Sequence, residues 1–426
     1  MENIQQVSDN LLCSACGACN AICPKGAISF EWTNIGRKHA KVALDKCVQC
    51  GLCSRVCPSL DSQMLHNKYE DPLVGTILAT YIGRSTNREI YTNAQSGGVC
   101  TAILTYLFET KKIDAAIVCR MSYGDRPVVE GVIIEDFKQL KDCQKSCYTP
   151  VDILSALKNC KEKKSVAVVG IPCQIEGLVN LGIISPKFRN ITYKIGLVCD
   201  GTMCATVMDV MKSYQKEKNI KIEWRKKFLQ RNGEANFNYA MAPVCVSSAN
   251  GAQCIIPKKH RTLIKQMFTA PRCKLCYDKI NVHADIVLGD PWGMNGYDKV
   301  HGDNVITVRT DVGKLLVEEM NKSEFIVLSE ASTDEFIKGQ KIEMRRQLVT
   351  DFSNALRDNL LDSYLYHQNY APVSSSGRNA ALKKVRDFQR LEELERADIV
   401  GIARKKIAAD QKIVKRIGRF IKRLFK

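Results

Sequence analysis

An α/β body, led by a small α+β module and closed by a helical tail, is the fold the sequence predicts. Three observations predict it. One cysteine pattern occurs twice within residues 13–58. From about residue 75 to 330, apolar strand-like runs alternate with helix-like stretches, the texture of a sheet covered by helices. From Ala381 onward the periodicity is helical and the charge turns basic.

Composition bounds the problem. A chain of 426 residues is long enough for two to four domains, at roughly 150 residues each. A core of that size needs no disulfide staples, yet there are twenty cysteines, eight of them between Cys13 and Cys57. The opening "MENIQQVSDN" has neither the basic start nor the apolar core of a secretory signal. Clustered cysteines without export read as metal ligands or redox thiols in a reducing compartment. No apolar run approaches the roughly 18 residues needed to span a bilayer, so the expected localisation is cytoplasmic. The net charge is +18, and residues 404–426 supply half of it, with ten Lys or Arg against Asp410. That is a basic tail on an ordinary body rather than a body built to grip nucleic acid.

The segments "CSACGACNAICP" (13–24) and "CVQCGLCSRVCP" (47–58) both read C-x2-C-x2-C-x3-C-P. Three cysteines at that spacing offer three thiolates to one cube, and the fourth is carried to the other cube. Cys13, Cys16, Cys19 and Cys57 are therefore expected to hold one 4Fe-4S cluster, and Cys47, Cys50, Cys53 and Cys23 a second. Gly17 and Gly51 let the loop backbone pass close to sulfur. Between the blocks, "AISFEW" and "HAKVALD" flank "TNIGRK", a hairpin signal with Gly36 in the turn. Structural zinc would use two C-x2-C pairs and leave the third and fourth cysteine of each block unexplained. Residues 8–60 resemble bacterial two-cluster ferredoxins.

In the body the strand-like runs are "AAIVC" (115–119), "VVEGVII" (128–134), "SVAVVG" (165–170), "YKIGLVC" (193–199), "ADIVLGD" (284–290) and "NVITVR" (304–309). Helices are expected at 98–112 and 151–164. The run 165–170, the short helix "QIEGLVNLG" and the run 193–199 make a βαβ unit with room for a parallel crossover. Cys173 follows the first strand and Cys199 ends the second, so both belong at the sheet edge where α/β proteins bind ligands. "PRCKLCYDK" adds Cys273 and Cys276. Four thiolates suit another 4Fe-4S cluster or an all-cysteine zinc site, and spacing does not decide between them. Cys173 alone could also be a nucleophile at a helix N-terminus, though no His is paired with it in the segment, or an inert buried thiol. Cys100, Cys119, Cys143, Cys147, Cys160, Cys204, Cys245 and Cys254 have no motif partners and read as buried thiols. Ser96, Gly97 and Gly98 precede a helix and could face a phosphate or simply cap it. "ADIVLGDPWG" ends a strand in a turn with Asp290 and Trp292.

In order, "QSGGVCTAIL", "KSCYTPVD", "VAVVGIPCQIEGL", "YKIGLVCDG", "PRCKLCYDKI" and "HADIVLGDPWG" resemble the family of beta subunits of deazaflavin coenzyme (factor 420) hydrogenases and dehydrogenases, from about residue 75 to 330. The resemblance implies an oxidoreductase with FAD and a 4Fe-4S cluster beside it. The family's cluster cysteines fall on Cys173, Cys199, Cys273 and Cys276, its flavin-contact segment on Ser96, Gly97, Gly98 and Thr101, and a further contact on Asp290. Its Lys/Tyr-bearing segment falls on Lys145 and Tyr148, with an altered centre. The implied fold class is an α/β catalytic body with a small α+β ferredoxin-like N-terminal domain and a helical C-terminal tail. The implied domains are 1–70 for the two clusters, 71–155 and 156–335 for the two parts of the flavoprotein body, and 336–426 for the tail. Implied partners are a ferredoxin or other redox protein and a small reducible substrate, either the deazaflavin coenzyme or a compound of a polysaccharide pathway. An electron-transfer subunit without its own substrate chemistry is the first rival. An iron-sulfur nucleic-acid-binding protein is the second.

After "VSSSGRN" (373–379), read as a linker, no catalytic motif remains. Ile413, Ile417, Phe420, Ile421 and Leu424 share one helix face, with Lys and Arg on the rest. Such a helix lies on an anionic membrane surface or docks on the body or a partner. Phe420 belongs to the apolar face, so no stacking platform for nucleic acid is present.

Overall fold

A computed structural model describes residues 3–60, 69–160, 162–228, 238–357 and 377–424, the last twelve as helix backbone alone. The tail face from Ile413 to Leu424 lies outside the described side chains, and most of the "VSSSGRN" linker lies outside the described residues.

The N-terminal module pairs β1 (Ile28–Trp32) with β2 (Lys38–Val42) as the expected antiparallel hairpin, with Phe30 opposite Ala40. Short helices Ala18–Ile22 and Leu52–Arg55 follow the two cysteine loops. Its core is not its own. Ile4, Val7, Leu12, Ile28 and Val42 pack with Phe352, Leu356 and Val385 from helices Ile342–Arg357 and Arg378–Glu392. A segment this small buries too little alone, and the helical tail supplies the missing apolar surface.

The body holds one mixed sheet. Its strands are β3 (Ala79–Ser85), β4 (Ala115–Ser122), β5 (Val128–Ile134), β6 (Val166–Gly170) and β7 (Ile191–Leu197). A small separate sheet follows, of β8 (Ile220–Glu223), β9 (Val244–Ser248) and β10 (Gln253–Ile256). The main sheet then resumes with β11 (Ile286–Gly289), β12 (Asn304–Val308) and β13 (Ile326–Glu330), giving the order β13-β3-β12-β11-β7-β6-β4-β5. The central β4, β6, β7 and β11 run parallel, and the flanking strands pair antiparallel. Strands from 71–155 and from 156–335 thus share one sheet.

Period-two alternation divides the core. In β6, Ala167 and Val169 face a layer with Ile103 and Leu316, while Val166 and Val168 face a layer with Leu154 and Leu178. Being buried on both faces explains why β6 reads as a continuous apolar run.

The helix expected over 151–164 is a correction. The segment forms a 3-10 helix, Ile153–Asn159, whose unpaired Leu154 N–H at its first turn is donated at 3.0 Å to the Cys16 carbonyl. The C-terminal helix Arg396–Leu424 docks on the body through buried Ile399, Ala403 and Ile407, beside Met208 and Trp224. Among the described residues no helix is long and apolar enough to cross a membrane.

Candidate functional site

The sequence repeat is also a backbone repeat. Ala15 and Gln49, each just before the second cysteine of its block, have φ of 56° and 53°. Gly17 and Gly51, just after it, have φ of 97° and 69°. These left-handed residues curl each loop so that its thiols face inward. At Gly17 nothing larger than hydrogen fits. A Cβ would stand 2.6 Å from the Ser155 nitrogen and 2.8 Å from the Asp152 oxygen. The Cys13 sulfur accepts N–H groups from Ala15 and Ala40, both at 3.4 Å, and the Cys23 sulfur accepts that of Ala27 at 3.3 Å. Cys23, Cys47, Cys50 and Cys53 line one small cavity. Cys13, Cys16, Cys19 and Cys57 are mutual electrostatic neighbours, and burial pushes the Cys16 thiol up to about 12 and raises those of Cys19 and Cys57.

The second assembly sits past the C-terminal ends of the parallel strands. Beyond β6, Pro172 opens the helix Pro172–Ile184, where its fixed φ and missing N–H suit the first turn, and Cys173 comes next. Gln174 locks this corner, accepting the Ile171 N–H at 2.9 Å and donating to the Val151 carbonyl at 3.0 Å. Beyond β7, Cys199 donates its N–H to the Lys279 carbonyl at 2.9 Å. Buried Asn281 ties the strand ends together, its Nδ2 donating to Gly170 at 2.9 Å and to Leu197 at 3.3 Å. The helix Pro271–Leu275 brings Cys273, with Cys276 just after it. Arg345 holds that turn by donating to the carbonyls of Cys276 at 2.7 Å and Cys273 at 2.9 Å. The Cys199 sulfur accepts the Gly201 N–H at 3.4 Å, and the Thr202 hydroxyl lies 3.7 Å from the Cys273 sulfur. Cys173 feels Cys276 and Cys199, and Cys199 feels Cys273 and Cys276; burial dominates both thiols and pushes them up.

The two assemblies meet on one helix. One turn past Cys173, a Cβ on Gly177 would stand 3.3 Å from the Cys16 sulfur. Neighbouring buried thiols that resist ionisation become thiolates only when a cation holds them. Soft sulfur donors with N–H groups aimed at them fit iron-sulfur clusters. A single zinc needs all its sulfurs about 2.3 Å from one point, and among the described residues no three Cys, His, Asp or Glu are grouped to hold one ion.

The same edge carries a basic and aromatic site. Asp290, after β11, pairs with buried Arg225 at 2.8 Å. Tyr239 and Trp292 stack with centroids 6.3 Å apart, and Arg225 lies over Tyr239. Lys227 donates to the carbonyls of Ser96 at 2.7 Å and Tyr91 at 3.2 Å. Burial, reinforced by the Arg225 charge, lowers its pKa to about 7. Arg261 lies over the Tyr148 ring, and Lys145 is ion-paired with Glu223. Among the described residues the Nε atoms of Arg225 and Arg261 and the Nε2 of Gln95 are buried without an acceptor, which is how a site for an acceptor-rich ligand looks from the protein side.

Of the sequence-derived contacts, Asp290 faces this site. The Ser96 hydroxyl is donated to the Asp303 carbonyl at 2.6 Å, Thr101 accepts from Gln144 at 3.2 Å, and Gly97 packs against β3 and Asn304. Gly98 caps the helix Val99–Glu109 in the left-handed region, and the Val99 N–H is already donated to Asn304 Oδ1 at 3.3 Å. Asn304 also donates to Gly289 at 3.3 Å, which joins this turn to Asp290. Arg225, Lys227, Arg261 and Arg345 carry no motif in the sequence, with only the basic run "RKK" at 225–227 as a hint, and Arg272 lies within "PRCKLCYDK" without being singled out by it.

A parallel sheet with thiols and buried cations at its ligand edge, led by a two-loop cysteine module, defines an iron-sulfur electron-transfer chain of oxidoreductase type. Residues 80–158 and 163–334 match the family models described as the coenzyme F420 hydrogenase/dehydrogenase beta subunit, N-term and C terminus, and residues 12–60 match a 4Fe-4S dicluster domain. The chain belongs to that family of beta subunits and carries the dicluster domain in front of it. It is 28% identical over 370 residues to a coenzyme F420-dependent sulfite reductase of Methanocaldococcus jannaschii, covering 81% of this chain but only 52% of that protein, about half its length. It is 25% identical to a subunit of the F(420)H(2) dehydrogenase of Methanosarcina mazei, over 81% of this chain and 92% of the relative. A chain of the F420-reducing NiFe hydrogenase complex from Methanosarcina barkeri shares the fold, with TM-score 0.52 and 19% identity over 68% of this chain and 94% of that one.

Proposed function

We propose that the chain is an iron-sulfur flavoprotein oxidoreductase. In this reading Cys13, Cys16, Cys19 and Cys57 hold one 4Fe-4S cluster; Cys23, Cys47, Cys50 and Cys53 hold a second; Cys173, Cys199, Cys273 and Cys276 hold a third. Electrons from a ferredoxin or another redox protein enter at the N-terminal pair and continue to the third site. The observation that carries the reading is the sheet edge itself. Cys173 and Cys199 follow two adjacent parallel strands at that edge, the Cys16 loop lies against the helix that carries Cys173, and the Arg225–Asp290 pair follows the next strand, which supports the reading.

FAD, when bound, accepts electrons singly and delivers two as hydride. Arg225, Lys227 and Arg261 supply buried positive charge for its pyrophosphate, and among the described residues the one ion pair they form is Arg225–Asp290. Tyr239 and Trp292 offer an aromatic wall. Gln340 donates to the Asp290 carbonyl at 2.9 Å and so holds the turn that carries Asp290 and Trp292. The substrate class is a reducible hydride acceptor, such as the coenzyme in the relatives' names or a compound of a polysaccharide pathway.

Anaerobic purification with iron, sulfide and flavin analysis tests this. About twelve irons and about one FAD per chain are expected from three cubes. About eight irons with zinc, or no flavin, sinks it. The relatives named as subunits favour a second reading, in which substrate chemistry sits on another chain. Reduction of an organic acceptor by the isolated chain with reduced ferredoxin excludes that one.

A further inference from the structure

Arg272 lies between two of the three cysteine sets and belongs to both. It is 2% exposed and sits on the helix Pro271–Leu275, directly before Cys273. Its side chain turns away toward the N-terminal module. There Nε donates to the Ser59 hydroxyl at 2.8 Å and Nη2 to the Pro58 carbonyl at 2.9 Å. Pro58 and Ser59 immediately follow Cys57. The guanidinium therefore clamps the loop of Cys57 to the turn of Cys273 and Cys276. Its positive charge therefore stands against the residues that follow Cys57, while its backbone belongs to the turn of Cys273. Both donors belong to one guanidinium, so a single positive group holds the hydroxyl and the carbonyl together. Arg345, 4% exposed, differs. Among the described residues its side chain donates to the carbonyls of Cys273 and Cys276, which belong to one set.

Resting on the cluster reading above, we propose that Arg272 is a positioning residue shared by two clusters, setting the reduction potentials of the Cys57-containing site and the Cys173-containing site together. A buried positive charge favours the reduced, more negative state of a nearby cluster and so raises its potential. One charge acting on both neighbours moves them in parallel. The step between them stays small, and an electron passes in either direction without being trapped. The clamp grips the residues after Cys57 and the turn of Cys273, so the site of Cys23, Cys47, Cys50 and Cys53 serves as the internal reference.

The test is an anaerobic redox titration followed by electron paramagnetic resonance on the full-length, iron-loaded chain. Arg272→Gln is expected to shift two of three potentials to more negative values and leave the third in place, while Arg272→Lys, which keeps the charge, stays near the unaltered protein. Ser59→Asp, which neutralises the guanidinium where it stands, is expected to reproduce the shift. Arg345→Gln should move one potential only. Unmoved potentials, equal shifts of all three, or an Arg272→Lys variant as displaced as Arg272→Gln overturns the proposal. If Arg272→Gln loses iron, loss from the two shared sites alone supports the positioning role, and loss from one or all three overturns it. An unaltered chain with only eight irons refutes the third site itself. Twelve irons with unmoved potentials refutes only the role of Arg272.

Discussion

The cysteine repeat at 13–57 and the scattered set at 173–276 both gather thiols, but by different means. In the repeat, the loop does the gathering. Left-handed backbone at Ala15, Gly17, Gln49 and Gly51 curls each block around its own sulfurs, and the chain need only bring two similar loops together. In the scattered set no local conformation suffices. Cys173 and Cys199 are neighbours because β6 and β7 are parallel and adjacent, and Asn281, Gln174 and Arg345 then hold the corners. The first site is specified by spacing, the second by register, and the two should fail differently when perturbed.

The largest expected contrast comes from the ligands. Cys173→Ala should lose about four of about twelve irons while both N-terminal clusters survive, and Cys13→Ala should lose iron from the N-terminal module with the Cys173 site retained. Iron analysis with electron paramagnetic resonance decides; a Cys173→Ala chain that keeps all its iron removes that residue from the site.

Next in size is the pair Gly17→Ala and Gly51→Ala, equivalent in motif but not in surroundings. Around Gly51 nothing lies within 4 Å of a Cβ, whereas at Gly17 the body's backbone is already there. Left-handed strain alone costs about 1 kcal/mol at Gly51, while strain plus collision costs roughly 3 kcal/mol at Gly17. Anaerobic denaturant titration of the two variants checks this, and equal midpoints would show that the module does not press on residues 152–155.

Smaller still is Asn281→Ala. It removes two hydrogen bonds between strand ends, at about 1–3 kcal/mol. It should weaken iron retention at the Cys173 site alone under chelator challenge, and loss from the N-terminal sites instead would dissolve the contrast between loop and register.

The smallest effect is a pH dependence at the basic site. Lys227 is held near 7 by burial and by Arg225, so its ammonium form gains population as pH falls through about 7. An anionic ligand binds that form better and takes up a proton on binding, so FAD affinity should increase several-fold from pH 8 to pH 6. Fluorescence titration with added FAD should show this slope in the unaltered chain and a flat profile in Lys227→Met. A slope that survives the substitution assigns the proton elsewhere.

Much of the fold is legible in the residues alone. The strand runs 115–119, 128–134 and 165–170 recur as β4, β5 and β6, and the hairpin turn at Gly36 is where its glycine put it. The convergence of Cys173 and Cys199 follows from a parallel crossover alone. Less legible are β3 and β13, which lack a continuous apolar run, and the segment 151–164, whose helical pattern becomes a 3-10 helix packed against the Cys16 loop. Arg225, Lys227, Arg261 and Arg272 are hard to read for a common reason. A basic residue reads as surface in a sequence, and only the tertiary structure shows these four buried or half-buried.

By itself the sequence determined the N-terminal cysteine loops, the parallel centre of the sheet and the edge on which Cys173 and Cys199 lie, because each follows from spacing or period within a short stretch. Only the tertiary structure decided which distant pieces share that edge. It brought the C-x2-C turn to Cys173, the tail helices to the core of the small module, and Arg272 between two sets of thiols. Such contacts join residues far apart in the chain, and no local pattern encodes them; they arise when packing buries surfaces that cannot be buried alone.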